Sequence, residues 1–178
     1  GSFNRVMSSW NTGKVAIMQG MFDGASSFNG NILSWDTSQV ADMESIFAGA
    51  SVFNADISKW STGKVTNMNR MFGGATSFNS DISSWDTSKV VSMSTLFDHN
   101  WVFNSDLSRW NTGEVKSFHY MFSQCRLFNT DLSKWDTSKV KNMKGAFLEA
   151  ERLDSNIGLW HTAQAADLYE MFAGATAF

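Results

Sequence analysis

Three histidines, one cysteine and a recurring column of aspartates are the residues of this 178-residue chain whose types could do chemistry. A histidine set between a carboxylate and a nucleophile would serve acyl transfer, and His with Cys or Asp at ligand spacing would hold zinc. His99, His119 and His161 are out of register with one another and have no Cys, Asp or Glu at triad or ligand spacing. Cys125 stands in a column that holds Ala25, Ala50, Ala75, Ala150 and Ala175, with Asn100 the other departure, which reads as a small buried thiol rather than a nucleophile. Apart from the pair Gly73-Gly74 the glycines are single and scattered, so no loop is built to cradle a phosphate. The expectation is a chain without catalytic residues and without a cofactor.

The aspartates carry a sharper alternative. Asn31, Asp56, Asp81, Asp106, Asp131 and Asn156 recur at one fixed interval. Unit charges ~5 Å apart would repel by about 0.8 kcal/mol even in bulk water, so something must offset them. Backbone N–H groups would do so, as would Lys59, Arg109 and Lys134 three positions downstream. A row of Ca²⁺ at Asp56, Asp81, Asp106 and Asp131 would also do so, because hard cations want several oxygens. The dense Asp/Gly spacing of calcium-binding repeats is missing, so turn-stabilising aspartate is the default. The asparagines Asn4, Asn29, Asn54, Asn79, Asn104 and Asn129 are expected to satisfy backbone groups in a tight turn. One threonine per unit, from Thr12 onward, invites an ice-binding array, but its neighbouring column varies.

These columns exist because the chain repeats. Trp falls at 10, 35, 60, 85, 110, 135 and 160. Phe3, Phe28, Phe53, Phe78, Phe103, Phe128 and Phe178 keep the same period, with Leu153 in the gap, and a second Phe column runs from Phe22 to Phe172. The unit reads F-N-x-D-I-S-x-W-[DN]-T-[SG]-x-V-x-x-M-x-x-M-F-x-G-A-x-x, and the chain is about seven copies of it in one domain, 1–178. We number the units as coils, coil 2 beginning at Phe28, coil 3 at Phe53, coil 4 at Phe78 and so on along the same column. The turn after the Trp alternates between forms such as Asn-Thr-Gly and Asp-Thr-Ser, so a doubled period is superimposed. A unit with about eight core residues cannot bury them alone, whereas stacked units can, which is the physics of a solenoid. The Trp column would then be a core ladder rather than a platform for sugars.

Within the unit, the apolar positions from Val40 onward recur at roughly i, i+3, i+6/7 and i+10, which predicts a short helix or helical turns. Gly24, Gly49, Gly74 and Gly174 fall where a left-handed residue would end that helix. The D-I-S segment predicts a short strand, and Asp-Thr-Ser or Asn-Thr-Gly a turn or cap.

The run Met71-Phe72-Gly73-Gly74-Ala75-Thr76-Ser77-Phe78-Asn79-Ser80-Asp81-Ile82-Ser83-Ser84-Trp85-Asp86-Thr87-Ser88-Lys89-Val90 closely resembles the repeat of the BspA-like leucine-rich-repeat surface proteins. The likeness is to their tryptophan-bearing class, found in surface lipoproteins of mycoplasmas and other bacteria, and it covers essentially the whole chain. It implies an α/β fold, a right-handed leucine-rich-repeat-like solenoid of about seven coils, each a short strand plus a short helix or helical turns. It also implies a cell-surface or secreted setting, roles in adhesion or partner binding, and no catalytic residues. Coil 7 departs most, with Leu153-Asp154, His161-Thr162-Ala163 and Ala165, so regular packing is in doubt over about 150–168. Neither end resembles a cap, which predicts a longer natural array and a tendency to associate end to end.

Fifteen Phe and eight Trp argue against disorder. A net charge of −3 with no basic run leaves no footprint for nucleic acid, and no apolar stretch is long enough to insert in a bilayer as a helix. What remains is recognition through exposed departures from the repeat. Coils 4 to 6 replace Gly-Ala-Ser with Asp98-His99-Asn100-Trp101, Ser123-Gln124-Cys125-Arg126 and Leu148-Glu149-Ala150-Glu151. Trp101 is the one tryptophan outside the ladder and should sit beside Arg126, with His119 and Tyr120 on the same coil as that arginine. Exposed Trp, Tyr and Arg suit an interface. Trp101, Arg126, His99, His119 and Tyr120 are therefore the candidate contacts for a host or neighbouring-cell surface protein or glycan. The plainer alternative is a self-contained stack of Trp101 on Arg126 and Arg126 with Glu151. For the whole chain, the alternative is a stalk or spacer with no ligand of its own.

Overall fold

The computed structural model describes residues 7–178. Each coil lies against the next with equivalent positions of the repeat side by side, in register or one position short of it. In coil 2, the N–H groups of Met43, Ser45, Phe47 and Gly49 donate to the carbonyls of Asn67, Asn69, Met71 and Gly73 in coil 3, at 2.8–3.1 Å. The bond from the Thr66 amide to the Ala41 carbonyl returns in the other direction. Six parallel bridges, from Ile17 with Asp42 to Asn142 with Asp167, mark one point per coil where the pairing is sheet-like.

The expected strand and helix in each coil do not form: among the described residues there is no helix, and pairing never extends beyond single bridges. The α/β assignment is therefore corrected to a stack of β-turns. In coil 2, carbonyl-to-amide turns close Ile32–Trp35, Thr37–Val40, Met43–Ile46, Ser45–Ala48, Phe47–Ala50 and Ala50–Phe53. The reason for the misreading is physical. A succession of i→i+3 turns places apolar side chains inward every three or four residues, the same spacing a helix would show. What prevents the helix is a left-handed residue at every fourth position of the run, Ser45 and Gly49 in coil 2. Each is the third residue of its turn, where a type II turn requires positive φ. Alternate N–H groups are thereby turned outward, to the neighbouring coil instead of along a helix axis. The parallel bridge at Asp42 also falls in the stretch expected to be helical, not in the D-I-S segment.

That D-I-S segment is held by side chains. The indole Nε1 of Trp60 donates to the Ile32 carbonyl one coil back at 3.1 Å, and the same bond recurs at Trp35, Trp85, Trp110, Trp135 and Trp160. Thr37, Thr62, Thr87, Thr112 and Thr137 donate the opposite way, to a carbonyl one coil ahead. Asn29, Asn54, Asn79, Asn104 and Asn129 each accept the backbone N–H of the equivalent residue in the next coil. The asparagine ladder thus satisfies backbone groups as expected, but between coils. The threonine hydroxyls are spent in buried bonds, so they form no exposed array.

The core is aromatic. Within the stack the rings of Phe72 and Phe78 lie 3.8 Å apart, and Phe72 stacks on Phe47 and Phe97 at 5.7 Å. The internal tryptophans are 3–4% exposed, which makes their column a core ladder. Register holds through the divergent coil: Leu153 is buried, Trp160 stacks on Trp135 at 6.3 Å, and the Asp154 amide reaches the Asn129 side chain.

Candidate functional site

The acidic column resolves into turns. The amides of Ser58, Ser83, Ser108 and Ser133 donate at 2.9 Å to Oδ1 of Asp56, Asp81, Asp106 and Asp131, and Asn31 and Asn156 accept in the same way. Hydrogen bonds from those serines hold the four carboxyls below the ordinary carboxylate range. Lys59, Arg109 and Lys134 deepen the effect at Asp56, Asp106 and Asp131, while Asp81 opposes it at Asp56 and Asp106. Among the described residues no three of His, Cys, Asp and Glu are grouped to hold a metal. Cys125 is fully buried, its Sγ 3.1 Å from the Phe97 carbonyl, and burial pushes its thiol well up, away from the thiolate that nucleophilic chemistry needs.

The five candidate contacts engage different partners. His119 and Tyr120 pack edge to face, ring centroids 4.6 Å apart. The ring of Tyr120 lies over Gly145 in the next coil, and Lys144 places its ammonium 5.9 Å from that ring and 5.1 Å from the ring of Tyr169. Arg126 pairs with Glu151, Nε to Oε1 at 3.5 Å. Those of Lys144 are the cation–π contacts among the described residues, so the expected stack of Trp101 on Arg126 is not made, although its Arg126–Glu151 half is.

His99 and Trp101 instead line a groove of about 350 Å³ with Arg70, Thr76 and Asp98. The groove follows from the left-handed column that closes each run of turns. Gly24, Gly49 and Gly74 lead this column, a strip of bare backbone in which a Cβ on Gly49 would lie 3.5 Å from the Gly24 Cα. At the next position it becomes His99, still at φ 58°, so side chains rise where the glycines stop. Gly49, Gly73 and Gly74 form the floor and His99 and Trp101 the ledge. Trp101 is 48% exposed. His99 Nδ1 is 2.8 Å from Asp98 Oδ1. Arg70 is held only loosely, its guanidinium 3.9 Å from Asp23. Beneath the ledge, Asn100 replaces the alanine of the buried column. Its Nδ2 donates to the Phe78 carbonyl, while its Oδ1 is buried without a partner.

Sequence reasoning finds His99 and Trp101 and singles out the loop that carries Asp98, but misses Arg70 and Thr76. The available signal is the glycine column ending at His99, which reads in the sequence as a helix terminus. A larger hollow of about 650 Å³ lies against Trp10, Ile17 and Met21 in coil 1. Trp10, Thr12, Val15 and Met18 in its walls are ladder positions, and Trp10 is 49% exposed where the internal tryptophans are 3–4% exposed.

Comparison with curated proteins returns no match, and comparison with solved structures returns none. A family model does match, in two overlapping stretches, 1–99 and 79–178, that together span the chain and correspond to the repeated coils. The chain belongs to the family described as "Mycoplasma protein of unknown function, DUF285".

Proposed function

We propose that this chain is a non-enzymatic module of a cell-surface or secreted protein that mediates adhesion by binding a protein or a glycan. One observation carries the reading: the columns that face solvent vary most from coil to coil, while the Phe, Trp, Val and Thr columns that stack repeat almost without change. Phe, Trp, Val and Thr recur from coil to coil beneath a surface that carries Trp101, Arg126, His119, Tyr120 and Lys144 in its C-terminal half. A spacer has no use for such variation, because any generic coil would support its neighbours equally well. Exposed aromatic and arginine side chains are the types that anchor interfaces. The absence of a basic run in the sequence argues against nucleic acid as the partner, and the Asp column, committed to turns, argues against a calcium requirement.

The test is complementation of adhesion in cells lacking the parent protein. The wild-type coils should restore attachment, and a rod in which coils 4 to 6 are replaced by the generic unit of coils 2 and 3 should not. Attachment restored by the generic rod would establish the spacer reading. Purified protein assayed on matrix proteins and glycans should bind equally with and without Ca²⁺.

A further inference from the structure

Resting on that reading, we infer that the groove between Trp101 and the glycine strip is a saccharide site that takes a neutral hexose at the end of a glycan. Its size is the first argument. About 350 Å³ sits at the small end of ligand clefts, ~300–1,000 Å³, and is far from the ~800 Å² per side of a protein interface.

Chemistry is the second. A sugar ring presents an apolar face of C–H groups and an edge of hydroxyls, each both donor and acceptor. Trp101 offers an indole face with no ring partner among the described residues. Around it stand the groups that hydroxyls need. Asp98 accepts. His99, with Nδ1 engaged by Asp98, keeps Nε2 for the ligand. Arg70 brings a donor fork that its 3.9 Å pairing with Asp23 leaves largely unspent. Thr76 already donates its hydroxyl to the Ser51 carbonyl and so can only accept. One arginine against one aspartate is a balanced pair, which favours a neutral sugar over an acidic one. The bare backbone at Gly49 and Gly74 lets the ring approach the floor closely.

The third argument is that the chain departs from the unit at successive positions here, each to its own disadvantage. His99 occupies a left-handed position that glycine fills without strain, as Gln124 and Glu149 also do further along the column, Asn100 buries an unpaired oxygen in an alanine column, and Trp101 exposes an indole where Ser26, Ser51 and Thr176 stand elsewhere. The Gly-Ala-Ser of other coils would avoid all three. Unfavourable local features gathered in one place mark functional sites.

The experiment titrates the 178-residue protein with methyl α-mannoside, methyl β-galactoside and N-acetylglucosamine, following indole N–H resonances by NMR and, for every variant, the heat of binding by calorimetry. Two variants block the groove differently. Trp101→Ser restores the generic residue, and Gly74→Gln fills the floor with the residue that Gln124 already carries at the same left-handed position further along the column. Lys139→Ser, paired with Glu114 elsewhere on the surface, is the control. At least one sugar should shift the Trp101 resonance, its affinity should fall tenfold or more in both groove variants, and the control should leave it unchanged. No response to any of the sugars, or a response retained in both variants, overturns the inference. A deglycosylated matrix protein bound by wild type and lost in both variants, with the sugars silent, also overturns it but leaves the adhesion reading standing. A sugar bound in the groove by a protein whose cells attach equally well with Trp101→Ser upholds the inference and removes the site from adhesion.

Discussion

The ring of Tyr120 occupies the space that a side chain at Gly145 would need: a Cβ there would overlap Cε1 and Cδ1 of the ring. Gly145 has φ 57°, but the backbone alone does not explain the glycine, since Ser45, Arg70, Thr95 and Glu170 hold the same conformation in the same column. The steric demand of Tyr120 does. Gly145→Ala is therefore expected to lower stability by about 1–3 kcal/mol. Adding Tyr120→Ser should recover most of that loss, and urea melts of the two single variants and the double variant would measure the coupling. A double variant no more stable than Gly145→Ala would show that the backbone, not the ring, imposes the glycine.

The indole bond to the preceding coil gives a second prediction. Trp110 is buried, its Nε1 3.1 Å from the Ile82 carbonyl. Trp110→Phe removes the donor, orphans that carbonyl and leaves a cavity, which together cost about 2–4 kcal/mol. Trp160, half-buried and with no tryptophan stacked on its far side among the described residues, makes the same bond at 3.1 Å. Its replacement should cost visibly less. Equal losses at the two positions would mean that ring packing contributes little and the hydrogen bond nearly everything.

What can be read from the chain is set by which interactions repeat. Phe72, Trp85 and Asn79 announce a stacked core and a side-chain ladder, because each needs its own counterpart in the neighbouring coil. The path of the backbone between them is not legible. Met43, Ile46, Phe47 and Ala50 carry a spacing that a helix and a run of turns share, and the left-handed residues that decide between them include Ser45, Arg70 and Thr95, whose types give no warning. The side-chain contacts around Trp101 are illegible in a similar way. Trp101 and Arg126 are register neighbours, so a stack between them is the natural expectation, yet Arg126 turns to Glu151. Arg70, which does reach the Trp101 groove, belongs to a different column, and only the three-dimensional path brings it there.

The buried threonines give a third prediction. Thr87 donates to the Asn111 carbonyl at 2.9 Å, and it is almost wholly buried. Thr87→Val keeps the shape and removes the donor, which should cost about 1 kcal/mol in a thermal or urea melt. Solutions of the wild-type protein should show no thermal hysteresis, because the hydroxyls of this array face other coils and not the surface. Measurable hysteresis would place an ice-binding face on other columns.

The aspartate turns predict how stability follows pH. Asp56, Asp81, Asp106 and Asp131, with Asp36, Asp86 and Asp136 in the second turn, all have carboxyls held below the usual value by serine hydrogen bonds. A group whose pKa is lower folded than unfolded stabilises above its unfolded value, about 3.9, and loses that contribution as pH falls through the folded value. Stability should therefore be level with respect to these groups above about pH 5 and decline below about pH 4. Asparagine already serves as the turn acceptor at positions 31 and 156, so the combined Asp56→Asn, Asp81→Asn, Asp106→Asn and Asp131→Asn variant should fold. Its acid decline should be shallower than that of wild type, because four of the linked protons are gone. It also lacks the repulsion through which Asp81 opposes ionisation of Asp56 and Asp106, so its stability at neutral pH is expected to lie close to that of wild type. Melts at pH 7 with EDTA or with millimolar Ca²⁺ should coincide for both proteins. A rise with Ca²⁺ in wild type that vanishes in the asparagine variant would show that the column binds the ion, and that its turns are a cradle as well as a brace.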